Sequence, residues 1–251
     1  MTTLTDTHCH LNDPAFDGRV GEVLARAAAV GVTEVIVPGW DRESSLRAVE
    51  LAAEFPAIRA AVGLHPWFVT ESDDLTWLPP LLGNPRIVAV GEIGLDGAIE
   101  HDDPEKQETV FRAQLALARE HHLPVLVHCR RRWDRLLPCL RELPSRGIMH
   151  AFSGSLESMR LLLELGFYIS FTGSVTRPNA KRVHQAAAAV PADRLLVETD
   201  APAIGLETVP AEQVGPDCIP AILGAISRLR GDSPGALSGQ VAGNLRVLLR
   251  P

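Results

Sequence analysis

The stretch 87–128, IVAVGEIGLDGAIEHDDPEKQETVFRAQLALAREHHLPVLVH, places two short apolar runs on either side of a long helical pattern. The runs, Ile87–Ile93 and Val125–His128, are nearly continuous rather than alternating, which is typical of parallel strands covered on both faces. The helical pattern between them covers Glu105–His121. A strand, a helix and a second strand in this order predict one βαβ unit.

The same alternation extends over the rest of the chain. Six more strands are predicted, at Leu4–His8, Val32–Pro38, Ile58–Leu64, Ile148–Phe152, Phe167–Phe171 and Leu195–Glu198. Eight more helices are predicted, at Arg19–Val30, Glu43–Phe55, Leu75–Leu82, Trp133–Glu142, Leu156–Leu165, Lys181–Val190, Ile219–Arg230 and Pro234–Leu249.

This pattern favours a closed (β/α)8 TIM barrel. The length of 251 residues is usual for one such barrel, so we expect a single domain over residues 1–251. A doubly wound open sheet is the rival fold. Its dinucleotide-binding version needs G-x-G-x-x-G after a strand, and Gly91, Gly94 and Gly97 have the wrong spacing.

Composition narrows the possible classes of protein. Hydrophobic residues make up 46% of the chain, which excludes a disordered or fibrous protein. Lys and Arg number 24 against 31 Asp and Glu, so the net charge of −7 argues against a globally basic nucleic-acid binder. Any contact with nucleic acid therefore has to come from a local patch or from bound cations.

Sequence signals of location point to the cytoplasm. The first residues, MTTLTDTHCH, lack the charged and apolar regions of a signal peptide, and no apolar run is long enough to span a membrane. The 4 cysteines include no C-x-x-C pair, so we expect them to be reduced, as in a cytosolic protein. We expect no membrane contact, and the sequence gives no sign of an obligate protein partner.

Histidines and carboxylates stand where the predicted strands end. His8 and His10 are close together at the end of the first strand, and alternate residues of a strand share a face. Further candidates stand in or just after the fourth, fifth, sixth and eighth strands: Glu92, His128, His150 and Asp200. In a (β/α)8 barrel the carboxyl ends of the strands form the active-site rim. These side chains therefore predict one metal centre at the mouth of the barrel.

The size of this set favours two metal ions over one. Four imidazoles and two carboxylates are too many for one tetrahedral site that keeps an open position. A bridging carboxylate can hold two divalent ions about 3.5–4 Å apart. Nitrogen and oxygen ligands without thiolate suit Zn²⁺ or Mn²⁺, and also Mg²⁺ where waters complete the coordination.

Other polar residues near the rim have simpler explanations. Strand alternation turns Cys9 and Cys129 away from the ligands, so we expect both to pack in the core. Asp6 either orients a ligand or begins the strand. The remaining histidines fall in a loop or in helices and are expected to be solvated: His101, His121, His122 and His184.

Several short motifs carry a resemblance to a known family. In chain order they are Asp6-Thr-His-Cys-His-Leu11, Gly63-Leu-His-Pro66, Gly91-Glu-Ile-Gly-Leu-Asp96, His128-Cys-Arg130, His150-Ala-Phe-Ser-Gly154 and Glu198-Thr-Asp-Ala-Pro202. Together they resemble the TatD family of metal-dependent hydrolases and deoxyribonucleases, over about residues 4–249. Two further stretches, Asp102-Asp-Pro104 and Arg130-Arg-Arg-Trp-Asp134, resemble its bacterial YjjV-like branch.

The resemblance implies a TIM barrel with a two-metal site. It makes His8, His10 and Asp200 ligands of one metal and His128 and His150 ligands of the other. Glu92 would bridge the two ions. His65 matches a family position that faces the substrate phosphate, and Arg130 is similarly placed.

The chain departs from the family pattern in two places. Gly97-Ala98 stands where an aromatic residue often follows Gly-Leu-Asp, and Gly215-Pro-Asp-Cys-Ile-Pro220 replaces the usual Asn-x-Pro. Both are expected near the substrate rim. They leave the predicted metal ligands intact and bear on the identity of the substrate.

The expected reaction is metal-assisted hydrolysis of a phosphodiester by an activated water. Asp200 is expected to act both as a ligand and as the base, while His65 and Arg130 contact the phosphoryl oxygens. DNA cut from exposed 3′ ends follows from the resemblance alone, and a small phosphoester would fit as well. Arg131, Arg132 and Arg135 are candidates for a nucleic-acid contact, but a solvated helix start is the simpler explanation.

Two other functions stay open at this point. An amidohydrolase-type barrel that cleaves a C–N or carboxylic ester bond also begins with H-x-H and ends with a strand-8 Asp. Many such enzymes bridge their metals with a carboxylated lysine, and the lysines here, Lys106 and Lys181, fall in predicted helices. A non-catalytic metal-binding protein is the other alternative, although all the candidate ligands are present.

Overall fold

The computed structural model describes residues 3–69, 74–100 and 103–250 and shows eight parallel strands in sequence order. The strands are β1 (Leu4–Asp6), β2 (Val32–Pro38), β3 (Ile58–Val62), β4 (Ile87–Asp96), β5 (Val125–Arg130), β6 (Gly147–Met149), β7 (Tyr168–Phe171) and β8 (Leu195–Val197). The N–H of Thr7 donates to the Val197 carbonyl at 3.2 Å and joins the ends of β1 and β8. The predicted (β/α)8 barrel is confirmed.

Helices cover the outside of the barrel. They are α1 (Val20–Ala29), α2 (Arg42–Glu54), α3 (Pro104–Glu120), α4 (Trp133–Glu142), α5 (Leu156–Glu164), α6 (Lys181–Ala189), α7 (Ile219–Arg230) and α8 (Pro234–Leu248). Side-chain caps fix several of their starts: Asp41 caps α2, Asp103 caps α3 and Ser155 caps α5. Within the described ranges, no helix has the length and apolar character needed to cross a membrane.

The helix predicted at Leu75–Leu82 is wrong. Residues 75–83 form successive turns, in which the N–H groups of Leu78 and Leu81 bond to carbonyls three residues back. Pro79 and Pro80 explain the difference, because neither has an N–H to donate and each disfavours the α conformation in the residue before it. Leu78 and Leu82 are nevertheless buried, so the helix-like spacing came from core packing.

Strand ends also differ from the prediction near the mouth. β1 and β6 stop before His8 and His150, so both histidines follow their strands. β4 instead continues to Asp96. It packs closely on β5, since a Cβ added to Gly91 would lie 2.5 Å from the Leu126 Cβ. Gly91 therefore allows β4 to approach β5 closely just before Glu92, which lies at the mouth of the barrel.

Candidate metal centre

The predicted ligands meet at the carboxyl end of the barrel. An open cavity of about 780 Å³ lies there. Its lining includes five of the six predicted ligands: His10, Glu92, His128, His150 and Asp200. His8, the sixth, is fully buried beneath the cavity and contacts Glu92 and Asp200.

The first group of candidate ligands surrounds the two histidines that follow β1. His8 Nε2 is 3.2 Å from His10 Nε2, and Asp200 Oδ1 is 3.6 and 3.3 Å from these two nitrogens. Glu92 Oε2 is 3.2 Å from His8 Nε2. Two nitrogens that bind one ion tetrahedrally at about 2.0–2.1 Å are roughly 3.3–3.4 Å apart, so this pair fits one divalent ion.

The second group lies on the other side of Glu92. His128 Nδ1 is 3.2 Å from His150 Nε2. Glu92 Oε1 is 3.2 Å from the first of these nitrogens and 2.9 Å from the second. The two oxygens of Glu92 therefore face different histidine pairs, which is the arrangement expected of a bridging carboxylate.

Two carboxylates that the sequence analysis gave no role support the second histidine pair from behind. Asp96 Oδ2 is 3.1 Å from His128 Nε2, and Glu198 Oε1 is 3.3 Å from His150 Nδ1. Histidine ligands are commonly oriented by a carboxylate at the nitrogen that does not face the metal. Both residues lie within the quoted motifs, and their place at a strand end was the signal that could have found them.

Asp6 positions the loop that carries Asp200. Its carboxylate accepts the N–H of His8 at 3.2 Å, and the N–H and hydroxyl of Thr199 at 2.9 and 2.5 Å. Burial raises the pKa of Asp6 to about 7, although these hydrogen bonds favour its ionised form. Of the two roles that the sequence left open for Asp6, the contacts favour the orientation of ligands. Asp6 orients them through the backbone of His8 and Thr199 rather than through a ligand ring.

The backbone is strained beside two candidate ligands. Asp200 has φ +53°, and Ala151, which follows His150, has φ +43°. This left-handed conformation costs a residue other than glycine about 1 kcal/mol or more and is often found at functional sites. The N–H of Asp200 donates to the His8 carbonyl at 2.8 Å, which helps to hold the carboxylate in place.

His65 faces the centre as a hydrogen-bond donor. Its Nδ1 accepts the N–H of Trp67 at 3.2 Å, and its Nε2 lies 3.3 Å from Glu92 Oε1. A neutral imidazole whose Nδ1 accepts must carry its proton on Nε2. Burial lowers the pKa of His65 to about 4, so this neutral form prevails at pH 7. A proton on Nε2 is incompatible with metal ligation through that atom, and contact with a phosphate stays a prediction.

The carboxylates and histidines of the centre stabilise each other's charged forms. Burial alone would raise the pKa of Glu92, but His150, His65 and His8 hold it well below its usual range. Burial alone would lower the pKa of His150, but Glu92 and Glu198 raise it well above its usual range. Without a metal, the carboxylates are therefore ionised while histidines such as His150 carry protons. A divalent cation can take the place of those protons.

Basic residues near the mouth have different surroundings. Arg130, the last residue of β5, is exposed and lines the cavity. Arg131 is also exposed, while Arg132 is partly buried. Arg135 forms ion pairs at 2.7 and 3.3 Å with Glu105 and Glu108 of α3, which agrees with the simpler explanation for this residue.

The two departures from the family pattern have structural counterparts. A Cβ added to Gly97 would lie 2.8 Å from Arg132 Cζ, so this guanidinium occupies the space beside the glycine. Residues 215–220 pack on α1, where Asp217 pairs with Arg26 at 3.2 Å. They are not part of the cavity lining, so this second departure lies away from the candidate site.

Cysteines, lysines and the other histidines were predicted to lie outside the centre. Cys9 is fully buried as expected, but Cys129 is partly exposed and lines the cavity, because β5 continues past it to the open rim. The two lysines lie in α3 and α6, so the carboxylated-lysine route of many amidohydrolases is closed. Of the four histidines expected to be solvated, His122 is exposed, His121 is partly buried, His184 contacts the Val175 carbonyl at 3.0 Å and His101 lies outside the described residues.

Comparison with known proteins agrees with this arrangement. The profile of the family described as TatD related DNase matches residues 5–250. The chain belongs to the TatD family of metal-dependent hydrolases. This confirms the resemblance drawn from the motifs and favours it over the amidohydrolase and non-catalytic alternatives.

Three relatives are similar over most of the chain. The chain is 40% identical over 204 residues to the uncharacterized metal-dependent hydrolase YabD of Bacillus subtilis, which covers 79% of this chain and 80% of that protein. It is 34% identical to the 3′-5′ ssDNA/RNA exonuclease TatD of Klebsiella pneumoniae, over 97% of this chain and 96% of that one. It superposes on the crystal structure of YjjV, a TatD homologue from Escherichia coli, with a TM-score of 0.93 and 34% identity, over 98% and 97% of the two chains.

This TatD-family chain has clustered donors that can bind metal. Among the described residues these form overlapping groups: His8, His10 and Glu92; His8, His150 and Glu198; and His65, Glu92 and His128. The hydrogen bond at His65 Nδ1 argues against metal ligation by His65. His150 Nε2 also lies closer to Glu92 Oε1, at 2.9 Å, than His65 Nε2 does, at 3.3 Å. The imidazole and carboxylate donors around Glu92 therefore fit divalent metal.

Proposed function

We propose that this protein hydrolyses phosphodiester bonds at the 3′ ends of single-stranded nucleic acid, with the help of two divalent ions. The observation that carries the proposal is the position of Glu92, whose two oxygens face separate histidine pairs. His8, His10 and Asp200 would hold one ion, and His128 and His150 the other. When bound, the ions would supply positive charge for the phosphoryl oxygens and lower the pKa of a water molecule.

Asp200 is the residue best placed to accept the proton of the attacking water. It lines the cavity and lies next to both histidines of the first group. Burial alone would raise its pKa, but the hydrogen bond with His10 and the nearby His150 and His8 keep the pKa of Asp200 below its usual range. An ionised carboxylate at the cavity surface can take a proton as a general base.

Two side chains can hold the phosphate from the protein side. His65 presents an Nε2–H toward the centre, as its hydrogen bond with the Trp67 N–H requires. Arg130 brings a positive charge to the same cavity. Hydrogen bonds from such donors strengthen as negative charge develops on the phosphoryl oxygens, so both residues are expected to lower the barrier.

The choice of substrate rests on relatives and on the shape of the site. Several relatives between 33% and 34% identical are named 3′-5′ ssDNA/RNA exonucleases. A cavity of about 780 Å³ has room for the end of a strand. With a net charge of −7, bound cations would also offset repulsion of the phosphates. We further propose that residues 1–251 act as one domain and that the protein works in the cytoplasm.

The proposal can be tested by removing metal from the protein, adding back Mn²⁺, Mg²⁺ or Zn²⁺, and measuring DNA cleavage. We expect metal-dependent shortening of single-stranded DNA from a free 3′ end, and no shortening when that end is blocked. His128→Ala should abolish the activity, whereas His121→Ala, at the far end of α3, is the matched control. Cleavage that survives His128→Ala or proceeds in chelator would contradict the proposal, and so would cleavage only of amides or carboxylic esters.

A further inference from the structure

Large aromatic side chains line one side of the cavity, and the sequence analysis gave them no role. Trp40 follows β2, and Trp67 and Phe68 follow β3, the neighbouring strand. Trp67 is 54% exposed to solvent and Phe68 is 37% exposed. Exposed rings of this size that adjoin a cavity with polar groups are typical of a binding surface.

Trp67 is exposed but firmly held. It lies in a short 3-10 turn, Pro66–Phe68, that begins with a buried proline. Its indole Nε1–H donates to Asp96 Oδ2 at 2.6 Å, and its ring stands at 89° to the His65 ring with centroids 5.1 Å apart. A ring fixed in this way loses little conformational freedom when a second ring stacks on it.

The Trp67 ring is linked through Asp96 to His128, one of the candidate metal ligands. Asp96 Oδ2, which accepts the indole N–H, also faces His128 Nε2 at 3.1 Å. The Trp67 and His128 ring centroids are 6.5 Å apart. Arg130, two residues further along the same strand, brings a positive charge to this part of the rim.

We propose that Trp67, with Phe68 beside it, is a stacking platform for the base of the 3′-terminal nucleotide. This inference rests on the proposed function and adds the feature of the substrate that is recognised. The ring would take the base while Arg130 and the centre take the phosphate. A peptide with an aromatic side chain could also stack on Trp67, but it would bring no phosphate to Arg130 and the metal centre. A nucleotide end therefore fits the site better.

Such a platform has two consequences for specificity. Every base has a flat face, so stacking tolerates any sequence at the 3′ end. A base inside a duplex is already stacked between its neighbours, so the platform favours an unpaired end. The platform therefore gives a structural reason for a preference for single strands without any base-specific hydrogen bond.

The test compares two otherwise identical DNA strands, one of which ends in an abasic 3′-terminal nucleotide. The metal-loaded wild-type protein should cleave the normal strand with a kcat/KM about 5- to 150-fold higher, mainly through KM, which is the usual range for one base–aromatic stack. Trp67→Leu should lose most of this preference. Trp67→Phe should keep much of it, because the ring remains although the bond to Asp96 is lost.

Controls separate this proposal from its competitors. Leu229→Ala removes an exposed apolar side chain on α7 and should leave the preference intact. Equal losses on both strands in Trp67→Leu would overturn the platform, since a merely structural role would act on both. If the wild-type protein cleaves neither strand, the proposed function fails. In that case, fluorescence anisotropy measures the affinity of the metal-loaded protein for each strand and so tests the platform separately. Equal affinities for both strands would overturn the platform.

Discussion

Replacing Asp96 with Asn is expected to weaken metal binding and turnover while the fold is kept. Asp96 Oδ2 accepts from Trp67 Nε1 at 2.6 Å and faces His128 Nε2 at 3.1 Å, and Oδ1 accepts the Ala98 N–H at 2.7 Å. The amide of Asn has a similar shape but only one accepting oxygen. At least one donor is left without an acceptor, and the negative charge behind His128 is lost.

The size of the effect follows from the pKa of Asp96. Burial alone would raise it, but hydrogen bonds from His128 and Trp67 lower it from 3.8 to about 2. One pKa unit corresponds to about 1.4 kcal/mol, so the surroundings favour the carboxylate by roughly 2.5 kcal/mol, or about 60-fold in an equilibrium constant. Residues that orient metal ligands typically contribute about 10- to 100-fold in metal affinity or activity, which agrees.

The assay is a titration of metal-stripped protein against a chromophoric chelator, followed by kcat/KM on single-stranded DNA. We expect Asp96→Asn to lose about 10- to 100-fold in at least one of the two quantities. Asp103→Asn is the matched control, because it removes the same charge from an exposed cap of α3. Wild-type metal affinity together with wild-type kcat/KM in Asp96→Asn would show that Asp96 does not orient His128.

Further predictions concern the base, the ligand protons and the barrel wall. Asp200→Asn should lower kcat by about 100-fold or more on single-stranded DNA, since it removes the proton acceptor, and near-normal turnover would contradict that role. Metal affinity should rise with pH, because the raised pKa values of His10 and His150 mean that protons must leave before a metal binds. Calorimetry in buffers of different ionisation enthalpy counts those protons, and binding without proton release would be the contrary result. Gly91→Ala should destabilise the fold by about 1–3 kcal/mol in denaturant unfolding, since its Cβ would lie 2.5 Å from the Leu126 Cβ, whereas Gly243→Ala in α8 meets nothing within 4 Å and should not.

The barrel was predictable because each strand and helix leaves a local pattern. In the described part of the chain, all eight strands and all eight helices follow from such runs. Only residues 75–82 were mispredicted, since buried Leu78 and Leu82 imitate a helix that Pro79 and Pro80 prevent. Strand ends were less predictable. An apolar run in the sequence does not show where the hydrogen bonds of β1 to its neighbouring strands end. His8 was therefore placed inside a strand that ends at Asp6.

The centre was predictable in outline, since side chains at the ends of parallel strands share one rim. The arrangement of Glu92 between two histidine pairs needs coordinates, because spacing along the chain does not show which oxygen faces which nitrogen. The contacts of Asp96 with His128 and of Glu198 with His150 also join distant segments. The exposure of Trp67 depends on the turn that holds it, and no periodicity reveals that.

The positions of bound metal ions show whether Glu92 lies between two of them. Crystals of the protein soaked in Mn²⁺ would be measured for anomalous scattering. We expect two peaks about 3.5–4 Å apart, one beside His8, His10 and Asp200 and the other beside His128 and His150, with one oxygen of Glu92 on each. A single peak, or two peaks of which Glu92 touches only one, would contradict it.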